Sequence, residues 1–224
     1  MKKSMKPLTR NPNLSGLFAA VAACLLSGCS DPSDKVHKTE GAEPQQAAAE
    51  SSAGKEYLIR AESTIGFVGS KVTGSHDGGF KKFAGKIVIA DGKIAGSPEI
   101  KIAMESTWAN NDRLTGHLKS PDFFDVAKFP TSTFTVTSIA SEGAQQKVTG
   151  NLNLHGVTKS ISFPADIQIT DDAVTVKAEF AINRKDFNIN YPGKPNDLIR
   201  DNVVLKLDLK ATPGAARPED QLGN

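Results

Sequence analysis

The chain has 224 residues, with 27 basic groups against 25 acidic and only two cysteines, so it lacks both the basic excess of a nucleic-acid binder and the thiols of a disulfide-stapled protein. Cys24 and Cys29 both fall within the first thirty residues. Any folded domain after them is therefore neither a thiol enzyme, nor a zinc–cysteine site, nor a Cys-x-x-Cys redox protein.

Lys2, Lys3, Lys6 and Arg10 precede the apolar run GLFAAVAACLL at residues 16–26. That run falls short of the roughly 20 apolar residues that span a bilayer, and the basic stretch before it marks a secretory signal. It closes on Leu26-Ser27-Gly28-Cys29, which resembles bacterial lipoprotein signals, where the cysteine becomes the acylated first residue. The resemblance implies a signal peptide over 1–28 and lipidation of Cys29. Ser30, rather than Asp, follows the cysteine, and by analogy with enterobacterial sorting this points to the periplasmic side of the outer membrane. Removing residues 1–28 takes away four basic groups and no acid, leaving 23 against 25 and a net charge of −2. Nucleic acid is not an expected partner.

Residues 30–54 are mostly Ser, Asp, Pro, Glu, Gln and Ala, with Val36 the one large apolar side chain. Such a composition does not offset the entropy of ordering, so residues 29–54 are expected to form the lipidated cysteine and a disordered tether, with an r.m.s. reach of roughly 25–30 Å. His37 is then solvated.

Residues 55–213 suffice for one domain with a real core. The segment AVTVKAEFAINR places Val174, Val176, Ala178, Phe180 and Ile182 on one face, with Thr175, Lys177, Glu179 and Asn183 on the other. This period of two predicts a strand with one dry and one wet side. Further strands are predicted over 64–72, 80–90, 98–106, 132–141, 147–154, 161–169 and 203–209, separated by turn signals such as ADGK and TDDA. Eight one-sided antiparallel strands hide one face and lose their edges by closing into a barrel; a β-sandwich is the competing arrangement. Lys and Glu on the polar faces, with strands such as 174–182 lacking aromatic girdle residues at their ends, argue for an apolar interior rather than a lipid-facing exterior. Residues 214–224 read as a disordered tail.

Between the third and fourth strands, NNDRLTGHLKSPDFFDVAKFP carries the helical signal. Asn111 or Asp112 can cap a short helix with Leu114 and Leu118 on one face, and Ser120-Pro121 begins a second turn. The excursion is expected to act as a lid over one end of the barrel.

Four ordered blocks, LKSPDFFDVAKFPTSTF (118–134), VTGNLNLHGVTKSISFP (148–164), AEFAINRKDFNINYP (178–192) and LIRDNVVLKLDL (198–209), resemble the YceI-like family of lipocalin-like barrels associated with polyisoprenoid lipids. Asn188 stands where that family usually has Gly after the aromatic of its Arg-x-Asp-aromatic block; Asn tolerates the left-handed conformation, so the turn is expected to survive. The resemblance implies an all-β fold, an eight-stranded antiparallel lipocalin-like barrel with a short helical lid between strands 3 and 4. It also implies a non-enzymatic role, binding an isoprenoid lipid of quinone or polyprenyl type for sequestration or local handoff, without a cofactor. An eight-stranded barrel is just wide enough to be filled by its own side chains or to hold one small ligand, and the sequence leaves both open. A filled barrel would suit an envelope-stress interaction module.

If hollow, the cavity is expected to be lined by Phe67, Ile87, Ile102, Met104, Phe123, Phe124, Phe134, Val136, Leu152, Leu154, Phe163, Val176, Phe180, Ile182, Phe187, Leu205 and Leu207. Arg184 is the candidate for a polar head group because its fork of donors suits a pyrophosphate, although pairing with Asp186 is an alternative. His155-Gly156 separates two alternating runs and reads as a hairpin turn. A lipid-modifying enzyme would need a nucleophile in reach of His155, or acid/base work by Asp122 and Asp125, for which helix capping is the simpler role. His76 and His117 have no metal-ligand spacing around them.

Overall fold

The structure, a computed structural model, describes Met1, residues 31–49, 53–215 and Leu222. The expected signal peptide and the cysteine expected to be lipidated, Cys29, lie, Met1 apart, outside the described residues, as does most of the tail expected from 214.

In chain order the elements are β1 (His37–Thr39), β2 (Lys55–Ile59), β3 (Thr64–Lys71), β4 (Gly74–Phe80), β5 (Phe83–Ala90), β6 (Lys93–Ala103), β7 (Thr107–Ala109), α1 (Asp112–Lys119), β8 (Thr131–Glu142), β9 (Gln145–Leu154), β10 (Val157–Ile169), β11 (Val174–Asn183), β12 (Gly193–Lys194), β13 (Asp197–Leu198) and β14 (Asn202–Pro213). Ile65 pairs with Phe80 and Leu58 with Lys86, so β2–β3 and β4–β5 are the two arms of one long hairpin, kinked partway. β6–β7 continues along β4–β5 in the same way. These three long strands and β8, β9, β10, β11 and β14 form an up-and-down meander. It closes where β14 pairs with β11 on one side and with β2 and β3 on the other. The result is the eight-stranded antiparallel barrel with one short helix, α1, between the third and fourth strands.

Alternation decides which side is in. On β11, Phe180 and Ile182 are buried, while on the outer face Lys177 meets Asp208 at 3.1 Å and Glu179 meets Lys206 at 3.6 Å across the strand pair. The outer wall is thus laced with exposed ion pairs and the inner wall is apolar.

The interior has two levels. At the end where the chain enters β2 and leaves β14, Tyr57, Ile59, Ile87, Ile89, Val174, Leu209 and Ala211 fill the barrel. Nearer the opposite end, under α1 and the loop between β11 and β14, a larger cluster built on Phe163, Phe180, Ile182, Phe187 and Ile189 lines the interior. Gly150 permits close packing there. A Cβ on it would come within 2.4 Å of the Phe134 ring and 2.7 Å of the Thr135 carbonyl. Gly150→Ala is therefore expected to lower stability by about 1–3 kcal/mol through overpacking, read as an earlier thermal transition.

The expected tether is corrected over residues 31–49. β10 and β11 pair only between Asp166–Ile169 and Val174–Lys177 and then diverge. β1 lies in the gap, parallel to β11, with His37 opposite Phe180 and Thr39 opposite Ile182. Thr39 Oγ1 accepts from Ser162 N at 3.0 Å, and Ala42 exchanges two backbone hydrogen bonds with Ser160 at 2.8 and 2.9 Å. Further on, Asn151 ties down Gln45 through two hydrogen bonds. Val36 covers Val68, Ala181 and Val204 on the outer wall, so Ala181 is buried although it faces away from the interior. The segment is a strap that satisfies strand edges left open by the splay, and backbone pairing rather than apolar content orders it.

Candidate functional site

The upper level of the barrel is hollow. A cavity of about 170 Å³ lies inside it, and among the described residues Ser132 and Arg184 are the polar side chains on its wall. Phe163 and Phe180 stack at 3.9 Å with ring planes 3° apart, and Phe134 leans on Phe163 at 5.6 Å. Above them Phe67, Phe80 and Phe124 form a triangle with ring centres 5.8–6.3 Å apart. An open groove of about 620 Å³ adjoins the cavity at the lid end; Phe67, Gly69, Leu118, Phe123 and Ile199 border both spaces and form the neck between them.

Twelve of the expected residues lie on the cavity wall. Phe67, Ile102, Phe134, Leu152, Leu154 and Phe163 come from β3, β6, β8, β9 and β10; Phe180, Ile182, Leu205 and Leu207 come from β11 and β14; Phe123 and Phe124 come from the lid. Five do not line it. Ile87 belongs to the filled end, and Val176 packs between the two clusters. Met104 and Phe187 are buried in short 3-10 turns where the alternation stops, and Val136 packs beside a register shift in β8. Ile65, Gly69, Phe80, Ile100, Leu118, Ser132, Ile161 and Val203 line the cavity without having been singled out, although the same alternation places most of them on the inner face. Ile189 and Ile199 also line it, from a loop that carries no periodic signal.

Arg184 is corrected as the head-group candidate. Its side chain is 5% exposed, and its guanidinium is committed to the chain: Nε donates to Arg200 O at 3.1 Å, Nη1 to Ile189 O at 2.6 Å and Nη2 to Ile199 O at 3.3 Å. Asp201 lies 3.5 Å away. Burial lowers its pKa from the ordinary value, an effect that Asp201 opposes. The group is a clasp for the loop between β11 and β14. Asp186 does not pair with it and instead accepts from Gly41 N of the strap at 3.0 Å. Asn188 adopts a left-handed φ of 59° at the end of the 3-10 turn, so the turn survives with Asn as expected.

The groove has a different chemistry. Lys71, Arg113, Lys194, His76 and His117 face it, with Asp197 the one acid among the described residues that line it. Lys71 hydrogen-bonds to Asp197 and holds its carboxyl below the usual carboxylate range, helped by Thr73. His117 meets Asp122 at 2.7 Å and sits edge-on to Phe123 and Tyr191, each at 4.9 Å. Residues 121–124 form turns rather than a second helix, so Asp122 caps nothing and instead orients His117. His76 hydrogen-bonds Asn110 at 3.0 Å. Among the described residues no group of three or more His, Cys, Asp or Glu is placed to hold a metal ion.

His155 is a turn residue. It and Gly156 take φ of 52° and 74°, both left-handed as a two-residue type I′ hairpin requires. Its Nδ1 lies 3.1 Å from Phe187 O, and its ring rests on Phe129 at 4.7 Å.

A family model described as the YceI-like domain matches residues 57–211. The proteins named YceI of Salmonella arizonae and Salmonella newport are each 37% identical to this chain over 119 residues, which cover 50% of the chain and 62% of theirs. The match thus spans less than two thirds of these relatives. Among solved structures, Burkholderia cenocepacia BcnA aligns with a TM-score of 0.61 and 25% identity, over 68% of this chain and 98% of its own. A polyisoprenoid binding domain from Saccharophagus degradans aligns with a TM-score of 0.58 over 71% of this chain and 99% of its own; at 20% identity this likeness is one of fold.

Proposed function

Because the chain belongs to the YceI-like family, we propose that it is a lipid-anchored periplasmic carrier that takes up an isoprenoid chain, of quinone or polyprenyl type, at the lid end of the barrel. The observation that carries this reading is an aromatic-walled cavity that shares an apolar neck with a wide groove lined by basic side chains. The arrangement sorts an amphiphile by its two halves, tail inward and head outward. The cavity alone is smaller than the roughly 300–1,000 Å³ typical of ligand sites, whereas cavity and groove together fall within that range. The far end of the isoprenoid chain therefore occupies the barrel, and its remainder lies beneath α1 and Phe123. A solidly packed interaction module is disfavoured, because only the end around Tyr57 and Ile87 is filled.

Two measurements test the reading. Organic extracts of the purified chain should contain an isoprenoid lipid, and the emptied barrel should bind ubiquinone or polyprenyl phosphate near one per chain; absence of both refutes it. Cys29→Ser should yield a barrel that still binds but no longer fractionates with membranes. A variant that stays membrane-bound refutes the acyl anchor.

A further inference from the structure

The end of the barrel that holds the neck and groove also holds three features that the binding of one lipid does not require. The first is the beginning of the strap. Asp31 Oδ1 accepts from Ser33 N at 2.9 Å, and Asp31 Oδ2 lies 3.4 Å from Arg200 Nη1. Arg200 N in turn donates to the carbonyl of Ser70, a residue on the groove wall. Position 31 is therefore fixed beside the rim. Cys29 is two residues upstream, and a fully extended chain covers at most about 7 Å in two residues.

The second feature is apolar exposure. Apart from Met1, the exposed large apolar side chains among the described residues are Val72, Leu198 and Trp108, at 55%, 50% and 37%. All three belong to this end. Val72 is at the tip of the β3–β4 hairpin and its N–H donates to Leu198 O, while Trp108 is near the end of the third long strand. The third feature is charge. Lys71, Arg113 and Lys194 line the groove against Asp197, with exposed Asp122 beside His117 at its edge, whereas the hairpin tips of the opposite end carry exposed Asp91, Glu142, Asp171 and Asp172, with Lys93 beside the first and Lys55 on the carbonyl of Asp171.

We propose that the groove end docks face-on against a membrane surface that bears anionic lipids, with the strap fixing the orientation, so that the lipid tail passes between bilayer and barrel without crossing water. This rests on the acyl anchor at Cys29 proposed above. A free tether of 25 residues would let the barrel tumble; a docked strap leaves about two residues of slack and holds the groove towards the lipid. Val72, Leu198 and Trp108 then sink into the interface, and the basic rim meets the lipid phosphates. The far end, where Asp91, Glu142, Asp171 and Asp172 stand against Lys55 and Lys93, points away.

The test uses the full, acylated chain reconstituted in vesicles of phosphatidylethanolamine and phosphatidylglycerol, where an introduced cysteine is the one free thiol. A fluorophore on Asn196→Cys, at the tip between β12 and β13, should be quenched several-fold more strongly by a head-group-labelled lipid than one on Glu142→Cys at the opposite end. Equal quenching in protein that still pellets with the vesicles overturns the orientation and leaves the anchor standing; protein that never pellets overturns both. Adding Leu198→Ser and Lys194→Glu should reduce the quenching at position 196 while the protein still pellets. Unchanged quenching there overturns the role of the rim.

Discussion

Gly69→Phe is expected to weaken isoprenoid binding severely while leaving the barrel as stable as before. Gly69 borders both the cavity and the groove, on the inner face of β3 with Ile65 and Phe67. An added Cβ would meet no heavy atom within 4 Å, so the ring enters the neck instead of displacing a neighbour. Glycine within a strand costs stability relative to alanine, about 0.5–1 kcal/mol, and replacing it should hold or raise the thermal midpoint. Binding should weaken by about 100-fold or more, equivalent to roughly 3 kcal/mol, because the chain must either expel the ring or stop in the groove. The matched control is Gly116→Phe on the exposed side of α1, where an added Cβ also meets nothing within 4 Å. It should bind as the unchanged protein does. Retained affinity in the Gly69 variant would show that the neck is not the route into the barrel.

The inner wall was legible in the sequence because alternation reports directly which side chains face inward. Val174 to Ile182, and Val203 with Leu205, Leu207 and Leu209, sit on the predicted side. Alternation is silent about height along the barrel axis. Ile87 and Phe180 have the same signature, yet Ile87 is part of the filled end and Phe180 is on the wall of the cavity. It is silent about irregular loops too, which is why Ile189 and Ile199 were missed. The strap escaped notice for another reason: a count of apolar residues in 30–54 finds little beyond Val36, whereas what orders residues 37–42 is the pairing of their N–H and C=O groups with the splayed edges of β10 and β11. Those edges become visible only once the closed barrel shows where two neighbouring strands part.

The second large effect concerns Arg184, where sequence and structure assign different roles and one pair of variants separates them. A head-group ligand at the mouth would be partly replaceable by lysine, which keeps the charge; the fold would be untouched and the loss confined to affinity. The structure instead has the guanidinium holding the carbonyls of Ile189, Ile199 and Arg200 at three points of the loop that roofs the cavity. Lysine presents a single ammonium and cannot reproduce that planar fork. Arg184→Met should therefore cost about 3–5 kcal/mol, since it leaves buried carbonyls without donors, and at roughly 2–4 °C per kcal/mol for a domain of this size the midpoint should fall by about 10 °C. Arg184→Lys should lose most of the same stability, and both should loosen the neck, because Ile199 borders cavity and groove alike. A lysine variant that melts with the unchanged protein yet binds lipid poorly would return Arg184 to the head group.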